Sequence, residues 1–449
     1  MIEPAEIEEV SKQLGIHTSH VQRDYVHSWL LSVLYSSSTL GKRLILKGGN
    51  CLRKAYFEGG RYSRDLDFST STSISDSELG RELNNVCQTL GERVGIVFDT
   101  NRTRVDEKRG ADEDKRIYEA RLYFRDFFGQ ESELILAVRL DVTQFDKLYL
   151  PAQERHLIHP YSDANSCTAI IRCVKLEELL ASKMRCLLQR RHVADFFDLV
   201  YATVINKELQ VNKSELLSVF FKITIFGNSP GVAKGLFIDL PLEALGRLWS
   251  DHIACPKKSW FSFKTAKEHF LSLINSLIPN QPVRERSQIL FPSILRNPIM
   301  EAGQTLTLLK LGYDGIIRLV EPYSLIFKVR KDGVAREYFY AYDTTGSYTS
   351  GKGLKSFVPG KVESAENTAQ TFKPRFEVEL KKAGGSEIVE RFKGQTSIYG
   401  TSNIWHIEHE VECPYCLKRF KRKEYDSKLR SHKDRFGNLC PGRRGTMLR

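Results

Sequence analysis

The sequence predicts an α+β protein built from several modules, and three observations carry that expectation. Strand-like and helical runs alternate through the first 170 residues, and helical periodicity dominates from 171 to 280. Short strands between Gly and Asp turns then fill 303–383, ahead of a cysteine-containing tail. At 449 residues there is room for roughly two to four cores.

Residues 3–38 read as two helices. In VQRDYVHSWLLSVLYSS apolar side chains recur three and four apart, with Ser19 as a cap. GKRLILKGGN follows as a short strand, Arg43 to Leu46, ending in a Gly-Gly turn. NCLRKAYFE is helical, RDLDFST is the next strand, and Ser75 to Leu90 is helical again. RVGIVFDTNRTRV, KRIYEARLYFRDFF and ELILAVRLDVTQFD are extended runs that close a sheet domain, 1–170. KLEELLASKMRCLLQRR places Leu176, Leu179, Leu180, Met184, Leu187 and Leu188 on one stripe and opens a helical domain, 171–280. A proline-punctuated stretch, 281–302, reads as a linker, 303–383 as a small β-barrel, 384–410 as a second linker and 411–449 as a closing module.

The start, MIEPAEIEEV, is acidic and amphipathic rather than basic and then apolar, which argues against a secretory signal. No apolar run of about 18 residues exists, so a cytoplasmic protein without a membrane partner is expected. The net charge of +12 is uneven: from Val411 onward twelve Lys or Arg face four Asp or Glu. A basic module suggests contact with nucleic acid; a solvated tail is the plainer alternative. Cys51, Cys87, Cys167, Cys173, Cys186 and Cys255 are scattered and read as reduced core residues, while Cys413, Cys416 and Cys440 cluster.

RYSRDLDFS raises the chemical question. A strand alternates its side chains, so Asp65 and Asp67 share one face while Leu66 and Phe68 enter the core. Two neighbouring carboxylates repel, and the pair asks for a cation unless it is an edge strand with solvated charges. Just before it, KGGN (Lys47, Gly48, Gly49, Asn50) marks a strand-to-helix turn whose backbone N–H groups can approach a phosphate, or is plain turn geometry. Asp141, late in VRLDVTQFD, could join as a third carboxylate. Three carboxylates around a nucleoside triphosphate can hold two Mg²⁺ ions about 4 Å apart. Arg61 is a candidate phosphate contact, as is Arg191; Ser63 could touch the metal or a phosphate, or merely close the turn.

This order of strand, Gly-Gly, helix, Asp-x-Asp strand and later Asp strand looks like a polymerase-β-type nucleotidyltransferase. LKGGNCLRKAYFEGGRYSRDLDFS, with KLEELLASKMRCLLQRRHVADFFDLVY, resembles the AbiEii/AbiGii-type nucleotidyltransferase family, toxins of type IV toxin–antitoxin and abortive-infection systems. The resemblance covers about residues 20–275. It implies that Asp65 and Asp67 bind metal, that Gly48 and Gly49 hold phosphate, and that Lys183 and Asp195 complete the site, with Lys183 on the triphosphate. Asn50 departs from the small hydroxyl residue usual there. Asp198 is as readily a structural hydrogen-bond partner.

Further on, VEPYSL, YAYD and Phe372-x-Pro374 resemble the WYL domain, an SH3-like barrel, although its naming triplet is absent. That implies ligand-facing roles for Arg318, Tyr323, Lys355 and Arg375, each equally readable as a packed or solvated barrel residue. GSYTSGKG nearly spells a P-loop but continues with Gly353 and a strand pattern, so it reads as a hairpin loop. In the tail, Cys413-x2-Cys416, fifteen residues, His432, seven more and Cys440 suit a tetrahedral structural Zn²⁺. SKLRSHKDR looks helical, and His406 and His409 are bystanders.

The expectation is an Mg²⁺-dependent toxin moving an NMP from an NTP to RNA, such as a tRNA 3′ end, in phage defence, with a possible cognate antitoxin. Alternatives are an antibiotic nucleotidyltransferase, or a nucleic-acid-binding regulator whose nucleotidyltransferase domain is inactive.

Overall fold

The computed structural model describes residues 1–109, 116–128, 135–278, 290–329, 335–346, 351–382, 409–422, 427–434 and 438–447. Helix α1 (Pro4–Leu14) starts on Pro4 and stops at Gly15, whose left-handed φ of 69° lets its N–H reach Ser11 O. Helix α2 (Thr18–Ser37) is capped by the His17 side chain, which accepts from the Ser19 N–H. The expected cap at Ser19 thus gives way to His17, two residues earlier, while the Ser19 hydroxyl bonds the same ring nitrogen.

A seven-stranded mixed sheet follows: β1 (Ile45–Lys47), β2 (Asp65–Thr70), β3 (Arg104–Arg109), β4 (Arg116–Arg125), β5 (Ile135–Gln144), β6 (Gln153–His156) and β7 (Ile170–Cys173), in the order β3-β4-β5-β2-β1-β7-β6. Helix α3 (Gly48–Cys51) leaves β1 and runs into a π turn over Leu52–Tyr56. Helix α4 (Asp76–Val94) starts at the Ser75 cap and ends at Gly95, so RVGIVFDTNRTRV is not one strand. Its first residues finish α4, and an isolated bridge, Phe98 to Phe124, precedes β3.

Helices α5 (Leu176–Arg190) and α6 (Val193–Val200) pack beside this sheet, followed by α7 (Lys213–Ile223), α8 (Pro230–Ile238), α9 (Leu242–Arg247), α10 (Trp249–His252) and α11 (Phe263–Leu277). Sheet and helices share one core, from Leu46, Leu66 and Phe68 to Leu180, Phe196, Phe197 and Phe270. An ion-pair network is buried within it. Asp24 of α2 meets Arg53 at 2.6 Å and Lys54 at 2.8 Å, all three nearly solvent-free.

The linker expected over 281–302 is corrected in its second part, where α12 (Ser293–Thr305) forms despite Pro298. Burial of Leu295, Ile299, Met300 and Ala302 against the second sheet outweighs the proline's lost backbone bond. That sheet comprises β8 (Thr307–Tyr313), β9 (Ile316–Val329), β10 (Ala335–Asp343), β11 (Gly353–Phe357) and β12 (Val362–Thr371), ordered β11-β10-β9-β8-β12. Among the described residues β11 and β12 are its edges and no barrel closes. Residues 330–334 and the tip of the near-P-loop, 347–350, lie outside the described residues; Gly353 opens β11, so a strand follows Lys352.

The tail contains β13 (His409–Glu412), β14 (Arg419–Arg422), β15 (His432–Lys433), β16 (Leu439–Cys440) and β17 (Thr446–Met447). The helix expected over SKLRSHKDR is replaced, over its described residues 427–434, by extended chain, because Lys428 bridges Arg444 and β15 pairs with β16. His406 lies outside the described residues. No helix among the described residues is long and apolar enough to cross a membrane.

Candidate active site

Alternation along β2 buries Leu66 and Phe68 and leaves Asp65 and Asp67 half-buried on the opposite face. Register does the rest. Parallel pairing sets Asp67 opposite Asp141 and Asp65 opposite Arg139. Antiparallel neighbours place Lys47 opposite Asp67 and Glu119 opposite Asp141. One row across four strands therefore reads Lys47, Asp67, Asp141, Glu119, with Asp65 and Arg139 one step behind.

Arg139 pairs with Asp65 and lies 3.8 Å from Asp141 and 3.9 Å from Glu119. Burial pushes the Asp65 carboxyl up, and Arg139 opposes that push. Burial likewise raises Asp141 to about 6; Arg139 opposes this, while Asp67 and Asp65 add to it. Asp141 Oδ1 is buried without a hydrogen-bond partner, an acceptor left for a cation. Asp65, Asp67 and Asp141 thus suit a divalent ion, with Arg139 standing among them.

The Gly-Gly turn meets this row directly. Gly48 has a φ of +74°, and a Cβ there would lie 2.0 Å from Asp67 Oδ2. A Cβ on Gly49 would lie 2.8 Å from both Arg61 Nη2 and Ser63 Oγ. Gly48 is therefore required by its left-handed φ and the approach of Asp67, while Gly49 lies close against the Arg61 and Ser63 side chains. Asn50 is buried, and its amide donates to Asp65 O at 2.7 Å and Ser63 O at 3.4 Å, so it holds the turn into β2. Lys47 Nζ is tied to Asp146 at 2.8 Å and to Thr143 at 3.1 Å.

A second charged group lies between this turn and the helices. Arg61 forks onto Asp198 at 2.8 and 2.9 Å. Lys183 lies 2.9 Å from both Asp195 and Asp198, and Arg190 meets Asp195 at 2.9 Å. Burial works against the Lys183 charge, but Asp195 and Asp198 outweigh it and hold the ammonium above its ordinary value. The same partners keep both aspartates below the usual carboxylate range against the cost of burial. Arg191 ends α5 with a φ of 51°, and its guanidinium reaches Asn297 of α12 at 3.3 Å.

Sequence reasoning missed Arg139, Glu119 and Arg190, and left Asp198 undecided. Arg139 was findable, since it is two residues before Asp141 and must share its face. Glu119 was not, because only strand register brings it there.

In the tail, one ligand atom from each of Cys413, Cys416, His432 and Cys440 lies within 4.8 Å of the others. His432 Nδ1 engages Arg430 O at 2.9 Å, which leaves Nε2 to face Cys416 Sγ at 3.4 Å. Three thiols and one imidazole nitrogen so gathered suit Zn²⁺. In the second sheet the four candidates are engaged in pairs. Arg318 and Lys355 meet buried Asp343 at 2.6 and 2.8 Å; Tyr323 and Arg375 meet Glu321 at 2.6 and 3.2 Å.

Residues 29–226 match the family model described as "Nucleotidyl transferase AbiEii toxin, Type IV TA system". Among solved structures the chain is similar to the nucleotidyltransferase toxin MenT4 from Mycobacterium tuberculosis H37Rv. The identity is 19% and the TM-score 0.37, over 60% of this chain and 89% of that one. No curated protein matches.

Proposed function

We propose, from the premise that residues 29–226 are a nucleotidyltransferase domain of the AbiEii toxin type, that the protein moves an NMP from an NTP to a hydroxyl of RNA, such as a tRNA 3′ end. It would act as a cytoplasmic toxin held in check by a cognate antitoxin. One observation supports the chemistry most: Asp67 and Asp141 stand opposite each other on neighbouring strands, with Gly48 stripped of a side chain against Asp67.

The acceptor hydroxyl attacks the α-phosphorus, forming a new O–P bond as the bond to the β-phosphate oxygen breaks and pyrophosphate leaves. Asp141, held near neutrality by its burial, takes the hydroxyl proton. Mg²⁺ held by Asp65, Asp67 and Asp141 would neutralise charge on the phosphoryl oxygens. Arg61, against Gly49, faces the triphosphate, while Lys183 acts through Asp198 to keep Arg61 aimed. Lys183, which the resemblance puts on the triphosphate, is paired with Asp195 and Asp198 at 2.9 Å. A Zn²⁺ held by Cys413, Cys416, His432 and Cys440 would be structural, since four protein ligands leave no position for a substrate.

The test incubates wild type and Asp67→Ala with each labelled NTP, Mg²⁺ and total bacterial RNA. Incorporation by wild type alone supports the reading. Equal incorporation by both, or none by either into RNA, protein or an aminoglycoside, overturns it.

A further inference from the structure

The tail module lies against the catalytic domain. Arg64, the residue before Asp65, meets Glu412 at 2.5 Å across 348 residues of sequence. The other oxygen of Glu412 accepts from Arg419 at 3.0 Å, and the carboxylate is almost buried. A buried carboxylate held by two guanidiniums is a fixed object rather than a surface ion pair. Tyr415, between the first two cysteines, packs edge-on against His17 with ring centroids 5.6 Å apart and touches the main core. Strand β17 packs against α10. Buried Arg23 of α2 lies within electrostatic reach of Arg64, Glu412, Cys413 and Asp65. With three thiolates and one neutral imidazole on a divalent ion, the cluster would carry net negative charge beside these two arginines.

The turn Ser63–Asp65 is therefore gripped from two sides. Asn50 of the glycine turn holds its carbonyls, and Glu412 of the tail holds its arginine. We infer that the tail module completes the active site: Glu412 is a positioning residue that acts through Arg64 on the turn carrying Asp65, and metal at Cys413, Cys416, His432 and Cys440 keeps it in place. This rests on the nucleotidyltransferase reading for its kinetic consequence, but not for its structural one. Glu412 adjoins the ligand Cys413, so loss of metal releases the carboxylate that holds Arg64.

The experiment uses full-length wild type, Glu412→Gln and Glu412→Asp. It measures bound zinc, amide exchange over 62–67, and kcat and KM for NTP incorporation. Glu412→Gln is expected to keep its zinc, to exchange faster at 62–67, and to lose kcat on the order of ten-fold with KM for the NTP little changed. Glu412→Asp, which restores the charge, should recover part of both. Removing zinc from wild type with a chelator should raise exchange at 62–67, and restoring zinc should reverse it. A zinc-loaded Glu412→Gln with wild-type exchange and kcat overturns the inference. If no form incorporates any nucleotide, the nucleotidyltransferase reading fails, and exchange at 62–67 alone still decides whether the tail holds the turn.

Discussion

Arg61 and Asp198, 137 residues apart, form a two-pronged ion pair at 2.8 and 2.9 Å that joins the segment leading into β2 to α6. Asp198 also holds Lys183 at 2.9 Å, so one carboxylate serves two buried cations. Asp198→Asn leaves both short of charge and should cost about 3–5 kcal/mol in urea unfolding. Arg61→Gln and Asp198→Asn should be non-additive in a double-mutant cycle by about 1 kcal/mol or more. Because Asp195 and Asp198 are held below the ordinary carboxylate value, their contribution is present above that value. It is lost as pH falls through their folded range, and acid unfolding curves of wild type and Asp198→Asn should converge there.

Gly48→Ala tests the approach of the turn to Asp67. The positive φ alone costs about 1–2 kcal/mol, and the new methyl would displace the Asp67 carboxylate. Incorporation should fall on the order of 10²-fold, while circular dichroism remains that of a folded protein.

Asp141 gives a pH signature. Its carboxyl is raised to about 6, by burial first, so below that pH it is protonated and cannot accept the hydroxyl proton. The rate should rise with pH through a limb centred near 6, and Asp141→Asn should remove the limb along with a loss of about 10²–10⁴-fold. Raising Mg²⁺ should move the limb to lower pH, since a bound cation favours the ionised form.

Asp24 tests the buried ion-pair network. Asp24→Ala strands Arg53 and Lys54 without a counter-charge and should cost about 3–5 kcal/mol by thermal unfolding. Leucine or methionine replacements at all three positions together should recover much of that loss.

What the sequence determined by itself was local. Alternation put Asp65 and Asp67 on one face, two glycines marked a turn, and CxxC with a later His and Cys marked a cluster whose atoms lie within 4.8 Å. Each of these depends on backbone period or on spacing along the chain. Tertiary structure decided the rest. Strand order made Asp67 and Asp141 neighbours and brought in Arg139 and Glu119. Packing of α5 against α6 tied Lys183 to aspartates, and burial of an apolar face made a helix of α12 across a proline. The contact between Arg64 and Glu412 spans most of the chain. A charged side chain carries no mark in sequence of which distant partner will neutralise it; burial enforces the pairing only once the domains have come together.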